Sequence, residues 1–451
     1  MGKVLLLAGI SLMVCALFPA SGTTWYVDGL VSGSGNGKSP EAAFKTIQEG
    51  IEAATDGDTV IVAEGTYLEN IHFNGKNIVL RSTDPLDPAV VANTIIDGNL
   101  SGSVVTFSGD EDESCVLSGF TICNGSADVG GGIRGGTFED PCRATIRNNV
   151  ITGNSAAGDP EEHDGVGGGL AYCDGTIQNN TISGNSAGMG GGLYGCDDIM
   201  ESNAIMGNTA DFGGGLYDCD STIRNNLIIG NSAACGAGLY GCDGTIESNT
   251  ISGNTGGALG GGLRLCRGTI LNCIIWGNTA ADDAQLSLCS EPTYSCIQGW
   301  EGLGEGNIAE DPQFVDADGP DDNLETYEDN DYHLAPDSPC TDTGRNEDWM
   351  AEAIDLDGNP RISYALSSPT VDIGAYEYSA ARIIGVTSAP DGGVQLIWTS
   401  KAGYTYAIWS RVNLLTGQWN EQATVSSQGT TTSWTGAINQ RRTKFYRVET
   451  K

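Results

Sequence analysis

The chain has 451 residues, 66 of them Gly, and carries 58 Asp and Glu against 21 Lys and Arg, a formal net charge of −37. A surface this acidic is expected to repel nucleic acid and anionic lipid, and to repel a polyanionic sugar unless a cation bridges the two. The Gly share is about twice the usual ~7%, and it sits in a regular repeat, which signals tight turns rather than disorder.

Residues 1–22 read as a secretory signal peptide: Lys3, an apolar run from Val4 to Phe18, and small residues Ala20, Ser21 and Gly22. Export to a secreted or cell-surface location follows, with no membrane span after signal cleavage, because the first run is short for a spanning helix and no second one ends the chain. Cys15 leaves with the signal, so 13 of the 14 cysteines remain, an odd number.

Trp25 to Asp28 read as a strand. A helix is expected to start at Ser39-Pro40-Glu41, with Ala43, Phe44, Ile47, Ile51 and Ala54 at helical spacing and Asp56-Gly57-Asp58 ending it. Its task would be to cover the open end of a solenoid that begins at Thr59 to Val62. Irregular coils follow around Ile71, Ile78, Ile95, Val104 and Val116.

From Gly167 to Asn278 the sequence repeats in steps of 23. Leu170, Leu193, Leu216 and Leu239 keep that spacing, Leu263 follows after 24, and Cys173, Cys196, Cys219, Cys242 and Cys266 keep the same register. A fixed period in the twenties marks a repeat architecture. Gly is too frequent for helices, and β-branched residues bounded by Gly, Asn and Asp read as short strands. The expected fold is all-β: a right-handed parallel β-helix solenoid over residues 23–378, about 23 residues and three short strands per coil, with an N-terminal capping helix and an Asp-rich C-terminal closure. Two insertions interrupt it, one between Ile133 and Cys142 and one after Asn154. Insertions in a solenoid become surface loops. From residue 381 to 451 period-two alternation at Val394 to Trp398, Tyr404 to Trp409 and Lys444 to Val448 predicts a small antiparallel β-sandwich-like domain. Its Trp398, Trp409 and Trp419 read first as core and second as a sugar-binding set.

The GGGL repeats followed by Ile-x-x-Asn segments resemble those of right-handed parallel β-helix proteins, including polymorphic outer-membrane proteins. The run from Trp25 through Phe44-Lys45-Thr46-Ile47 to Gly65-Thr66-Tyr67 resembles the capped entry of pectin-lyase-like β-helices, and Asp311 to Tyr378 is similar to the C-terminal closure of exported bacterial ones. The resemblance implies the fold over about residues 24–378. For activity it implies only a superfamily that mixes lyases, epimerases, hydrolases and adhesins, and no lyase motif carries over residue by residue.

In a β-helix each repeat position becomes a row along the axis. Leu and Ile rows face inward. Asn180, Asn203, Asn226 and Asn249, and Asn185, Asn208, Asn231, Asn254 and Asn278, tolerate left-handed turns and can hydrogen-bond along the stack. The Cys row is open between buried hydrophobes and disulfides. Asp174, Asp197, Asp220 and Asp243 form an acidic row, either a solvated edge or a calcium site. Tyr194, Tyr217, Tyr240 and Arg264 form an outward strip, either an aromatic ladder or a surface that stacks sugars and holds a carboxylate. Glu201, Arg224 and Glu247 read as exposed ion pairs between coils.

Two functions fit. One is an exported protein that binds a polysaccharide or cell-surface glycan in surface architecture or adhesion. The other is a calcium-dependent polysaccharide lyase or uronan epimerase, which needs a base, a group that neutralises the uronate and an acid. For that reading the candidates are His163 with Arg143 and Arg134, and calcium on Asp159, Glu161, Glu162 or Asp164.

Overall fold

The structure is a computed structural model; it describes residues 22–158, 165–319, 330–335, 337–362, 370–378, 383–388, 393–400, 405–411, 419–427, 431–436 and 445–450. The signal segment and the loop 159–164 lie outside the described residues.

Parallel strands stack coil upon coil into two ten-stranded sheets, one nine-stranded sheet and one six-stranded sheet. This is the expected parallel β-helix, and strand-to-parallel-strand connections of this kind take the right hand. A regular coil carries four strands rather than three: Thr176–Gln178, Thr181–Ser183, Ser186–Met189 and Leu193–Tyr194. Rows are in register, Leu170 beside Leu193 beside Leu216 and Ile182 beside Ile205 beside Ile228. They line one continuous apolar core that runs from Val27 to Ile297. In the irregular coils the inward residues are Ile96 and Leu117, one position beyond Ile95 and Val116. A one-residue slip exchanges the two faces of a strand.

Each corner of a coil needs a residue in the left-handed region. Asn179, Ser202, Asn225, Ser248 and Asn272 (φ 52–57°) supply one corner, and Gly184, Gly207, Gly230 and Gly253 (φ 59–64°) the next. The left-handed residue therefore precedes the Asn of each row, so the row Asn are free to point inward as a ladder. At the third corner, Gly190 has φ +66°, and a Cβ on the following Gly191 would lie 2.6 Å from the carbonyl of Gly214. The repeated Gly-Gly-Gly is thus a packing requirement between coils.

The N-terminal cap is shorter than expected. Pro40–Ala42 forms one 3-10 turn, and the α-helix spans Ile47–Ala53, started by Thr46 and Glu49, which cap each other. Phe44 is drawn off instead into a bridge with Val27 and a ring contact with Trp25. Ile47 and Ile51 cover the first coil as anticipated.

The closure segment does more than end the solenoid. Leu227, Ile229, Ile274 and Trp276 face outward from the second sheet, where the coils at 181 and 250 carry Thr and Ser. Tyr332, Leu334, Leu356, Ile373 and Tyr376 pack on them. The segment is a strap along the solenoid wall. Beyond residue 383 the strands are antiparallel, in two three-stranded sheets: Ile383–Ser388, Val394–Thr399 and Thr431–Gly436, then Asn420–Ser426, Thr405–Arg411 and Phe445–Thr450.

Candidate functional site

The inner Asn rows are structural. Asn208 Oδ1 accepts from Asn185 N and Nδ2, both at 3.0 Å, and Asn208 Nδ2 donates to Ile182 O at 2.9 Å and Asn231 Oδ1 at 3.0 Å. The same pattern links Asn149 through Asn249 and Asn154 through Asn278. The thirteen described cysteines are unbridged. In-register parallel side chains keep neighbouring Cβ atoms about one coil apart, ~4.8 Å, beyond the ~3.5–4.5 Å that a disulfide takes. Burial pushes these thiols upward in pKa at Cys196, Cys219 and Cys242.

The acidic row is tied to the backbone. Asp174 Oδ1 accepts from Asp197 N (3.0 Å), Asp197 from Asp220 N (2.8 Å), Asp220 from Asp243 N and Asp243 from Arg267 N (both 2.7 Å). Burial still raises Asp174 to about 6, with repulsion from Asp197 added. Among the described residues no three His, Cys, Asp or Glu side chains are grouped to hold a metal ion.

The tyrosine strip is a stack. Tyr194 and Tyr217 lie 5.4 Å apart with planes at 7°, Tyr217 and Tyr240 5.0 Å apart at 6°. Tyr172 meets Tyr194 edge-on, Phe138 meets Tyr172, and Arg264 sits 6.0 Å from the Tyr240 ring. The rings cover one another's faces, so the strip offers edges and phenol groups outward. Burial raises Tyr194 to about 12, so its hydroxyl stays protonated.

Of the residues named for lyase chemistry, only the two arginines are among the described residues. His163, Asp159, Glu161, Glu162 and Asp164 lie outside the described residues. Arg143 pairs with Glu113 at 2.9 Å in the open, and Arg134 Nε donates to Gly136 O at 3.1 Å.

Sequence reading missed a groove of about 440 Å³ between the strap and the solenoid corner. Gln178, Asn179, Glu201 and Ser202 form one wall, and residues 352–358, with Glu352, Asp355 and Asp357, the other. Two corner Asn clasp the strap. Asn225 donates to Ile354 O (3.1 Å) and accepts from Arg361 (3.2 Å), while Asn272 exchanges hydrogen bonds with the Arg345 backbone (2.7 and 2.8 Å). Arg361 is fully buried, bonds Gly374 O at 3.0 Å and pairs with Glu377 at 3.2 Å. Asp355 folds its own turn, accepting from Asp357 N, Asn359 N and Glu377 N at 2.7–2.9 Å. Behind the groove, His333 stands between Asp331 and Asp357 (Nε2 to Oδ2, 2.7 Å) and against the Tyr376 ring at 4.1 Å. Desolvation works against its charge, but the two carboxylates prevail and raise it to about 9. Glu201 accepts from Gln178 (3.0 Å) and pairs with Arg224, whose guanidinium lies 4.5 Å from the Trp349 ring. The Glu201, Arg224 and Glu247 row is therefore largely covered by the strap instead of exposed: Glu247 is 6% accessible, and burial raises its pKa. The outward Leu227 and Ile229, where the coils at 181 and 250 carry Thr and Ser, are the signal that a cover lay there.

No protein-family model and no curated protein matches the chain. Among solved structures it is similar to the pectate lyase Pel9A, with a TM-score of 0.41 and 14% identity over 78% of this chain and 96% of that one. It is also similar to XylC in complex with xylose, with a TM-score of 0.35 and 10% identity over 79% of this chain and 98% of that one. Among the described residues no helix is long and apolar enough to cross a membrane.

Proposed function

We propose that the chain is an extracellular glycan-binding protein of the adhesion or surface-architecture type, and that the groove beside the strap holds a neutral polysaccharide. The observation that carries this reading is the lining: Gln178, Asn179, Glu201, Glu352 and Asp357 present carboxylates and carboxamides. Such groups accept and donate to sugar hydroxyls, and their charge disfavours a uronate. The scaffold suits the task. Saturated Asn ladders and the buried Arg361 clasp hold the walls rigid, so little ordering cost falls on binding. The coils are stacked about 4.8 Å apart, close to the length of one sugar residue, so a glycan along the axis would meet Gln178 and Asn179 on one coil and Glu201 and Ser202 on the next.

The test is a glycan array probed with the mature chain and with an Asn179→Gly, Glu352→Ala variant. Gly preserves the left-handed corner and removes only the amide. Binding to neutral polysaccharides, weakened at least about tenfold in the variant, is expected for two lost hydrogen-bonding groups. No neutral glycan bound, or equal binding by the variant, overturns the reading. The competing reading, a calcium-dependent lyase or epimerase acting on a polyuronide, is checked on the same preparation. Rising ultraviolet absorbance of unsaturated products, dependent on calcium, would establish β-elimination and turn attention to His163, Arg143 and Arg134.

A further inference from the structure

Charge is divided very unevenly along the chain. Residues 383–451 hold seven of the 21 Lys and Arg but only three of the 58 Asp and Glu. This stretch is thus basic within a chain of −37. Two of its cations are built into one face of the sheet formed by Asn420–Ser426, Thr405–Arg411 and Phe445–Thr450. Arg411 lies 4.5 Å and Arg447 4.6 Å from the Trp419 ring centroid, and Arg447 lies 5.7 Å from that of Trp409. Trp398, by contrast, is fully buried in the module's core. The three tryptophans thus part company: one is core, and two carry a stack of guanidinium groups.

An arginine stacked on an indole has one flat face covered, yet its N–H donors radiate in the plane, towards the rim of the stack. The face is also rich in donors. Arg411 Nε and Trp409 Nε1 are buried without an acceptor among the described residues. We propose that this Arg–Trp face is a second binding site, which takes an acidic polysaccharide bearing a carboxylate on each sugar, the guanidinium forks holding carboxylates and the indole edges the sugar rings. An acidic peptide would use the forks but leave the indoles idle. The acidic row of a second copy of this chain is a poorer partner, because Asp197, Asp220 and Asp243 each accept a backbone amide already. This site is independent of the groove and opposite to it in charge preference, so one chain would bridge a neutral and an acidic polymer.

The test measures binding of the full mature chain to immobilised polygalacturonate and to a neutral galactan across a sodium chloride series. Polygalacturonate binding should weaken with salt, and should fall at least about tenfold in an Arg411→Gln, Arg447→Gln variant. Near-ultraviolet circular dichroism checks that the module keeps its packing. An Arg411→Lys, Arg447→Lys variant retains charge and bulk while losing the planar forks, and should bind several-fold more weakly than the native chain. The Asn179→Gly, Glu352→Ala variant should bind polygalacturonate as the native chain does, which separates failure here from failure of the groove. The proposal is overturned by equal binding to both polymers, by native-strength binding in either arginine variant, or by salt-sensitive self-association in sedimentation without polymer binding.

Discussion

Replacing Asn208 with Ala tests the inner ladder at its middle. The residue is fully buried, and its side chain serves four hydrogen bonds. Truncation leaves the amide N–H of Asn185 without its acceptor and the carbonyl of Ile182 without this donor, and it takes one of the two acceptors of Asn185 Nδ2. Asn231 Oδ1 keeps the bond from the residue 208 backbone. Two buried groups are stripped of a partner and a third half-stripped, at ~1–3 kcal/mol each, so the loss should be about 3–6 kcal/mol. The neighbouring Thr209 is exposed on the same coil, and Thr209→Ala should cost less than about 0.5 kcal/mol. Urea unfolding followed by circular dichroism compares the two variants. Hydrogen exchange at the Asn185 amide gives a local reading, since coils interact mainly with their neighbours. A loss below about 1 kcal/mol with Asn185 still protected would refute the view that the ladder is a chain of obligatory bonds.

Three further outcomes follow from the same geometry. Arg361→Met should free the strap, because removing one partner of a buried ion pair costs ~3–5 kcal/mol; limited proteolysis should then cut within 345–362 while the coils stay intact. The strap should also loosen as pH rises. Burial raises Asp372 to about 7 in the folded chain, and flanking carboxylates raise His333 to about 9. Both groups bind protons more tightly folded than unfolded, so Asp372 stops contributing between about pH 4 and 7 and His333 between about pH 6.5 and 9. Hydrogen exchange in residues 330–362 should be slower at pH 5 than at pH 9 after correction for intrinsic rates, and the reverse order would contradict the assignment. Finally, thiol titration without reductant should find thirteen free thiols in the denatured mature chain, with Cys123, Cys235 and Cys289, the three that are not fully buried, reacting first in the native state.

The repeat made most of the solenoid legible. A period of 23 forces Leu onto Leu and Ile onto Ile, and no other arrangement buries both rows in coils that small. The errors were local. Ile95 and Val116 mark irregular coils, and the inward residues beside them are Ile96 and Leu117, a register that short runs such as Thr94–Asp97, with apolar residues on both faces, leave open in the sequence. The capping helix lost its first turns because Phe44 gained more by packing on Trp25 than by continuing a helical stripe. Left-handed geometry was credited to the row Asn, whereas it falls on the residue before, which alternates between Asn and Ser through Asn179, Ser202, Asn225, Ser248 and Asn272.

The groove was hidden for a different reason. Its walls come from residues about 150 positions apart in sequence, Gln178 to Ser202 and Glu352 to Gly358, and nothing in either stretch alone marks a cavity. What the sequence does contain is the imprint of a cover. Outward positions of the second strand read Thr and Ser at 181 and 183 and at 250 and 252, and Ala and Met at 204 and 206, but Leu and Ile at 227 and 229 and Ile and Trp at 274 and 276. An apolar pair on the outside of a solenoid must be paid for by something that lies on it. Read with the corner row, where Asn225 and Asn272 clasp the strap from those same two coils, the two apolar pairs mark two of the covered coils; the coil between them is covered as well, although it carries Thr250 and Ser252, and Thr250 Oγ1 accepts from Ala375 N. The corner beside them, at Asn179 and Ser202, is where the groove opens.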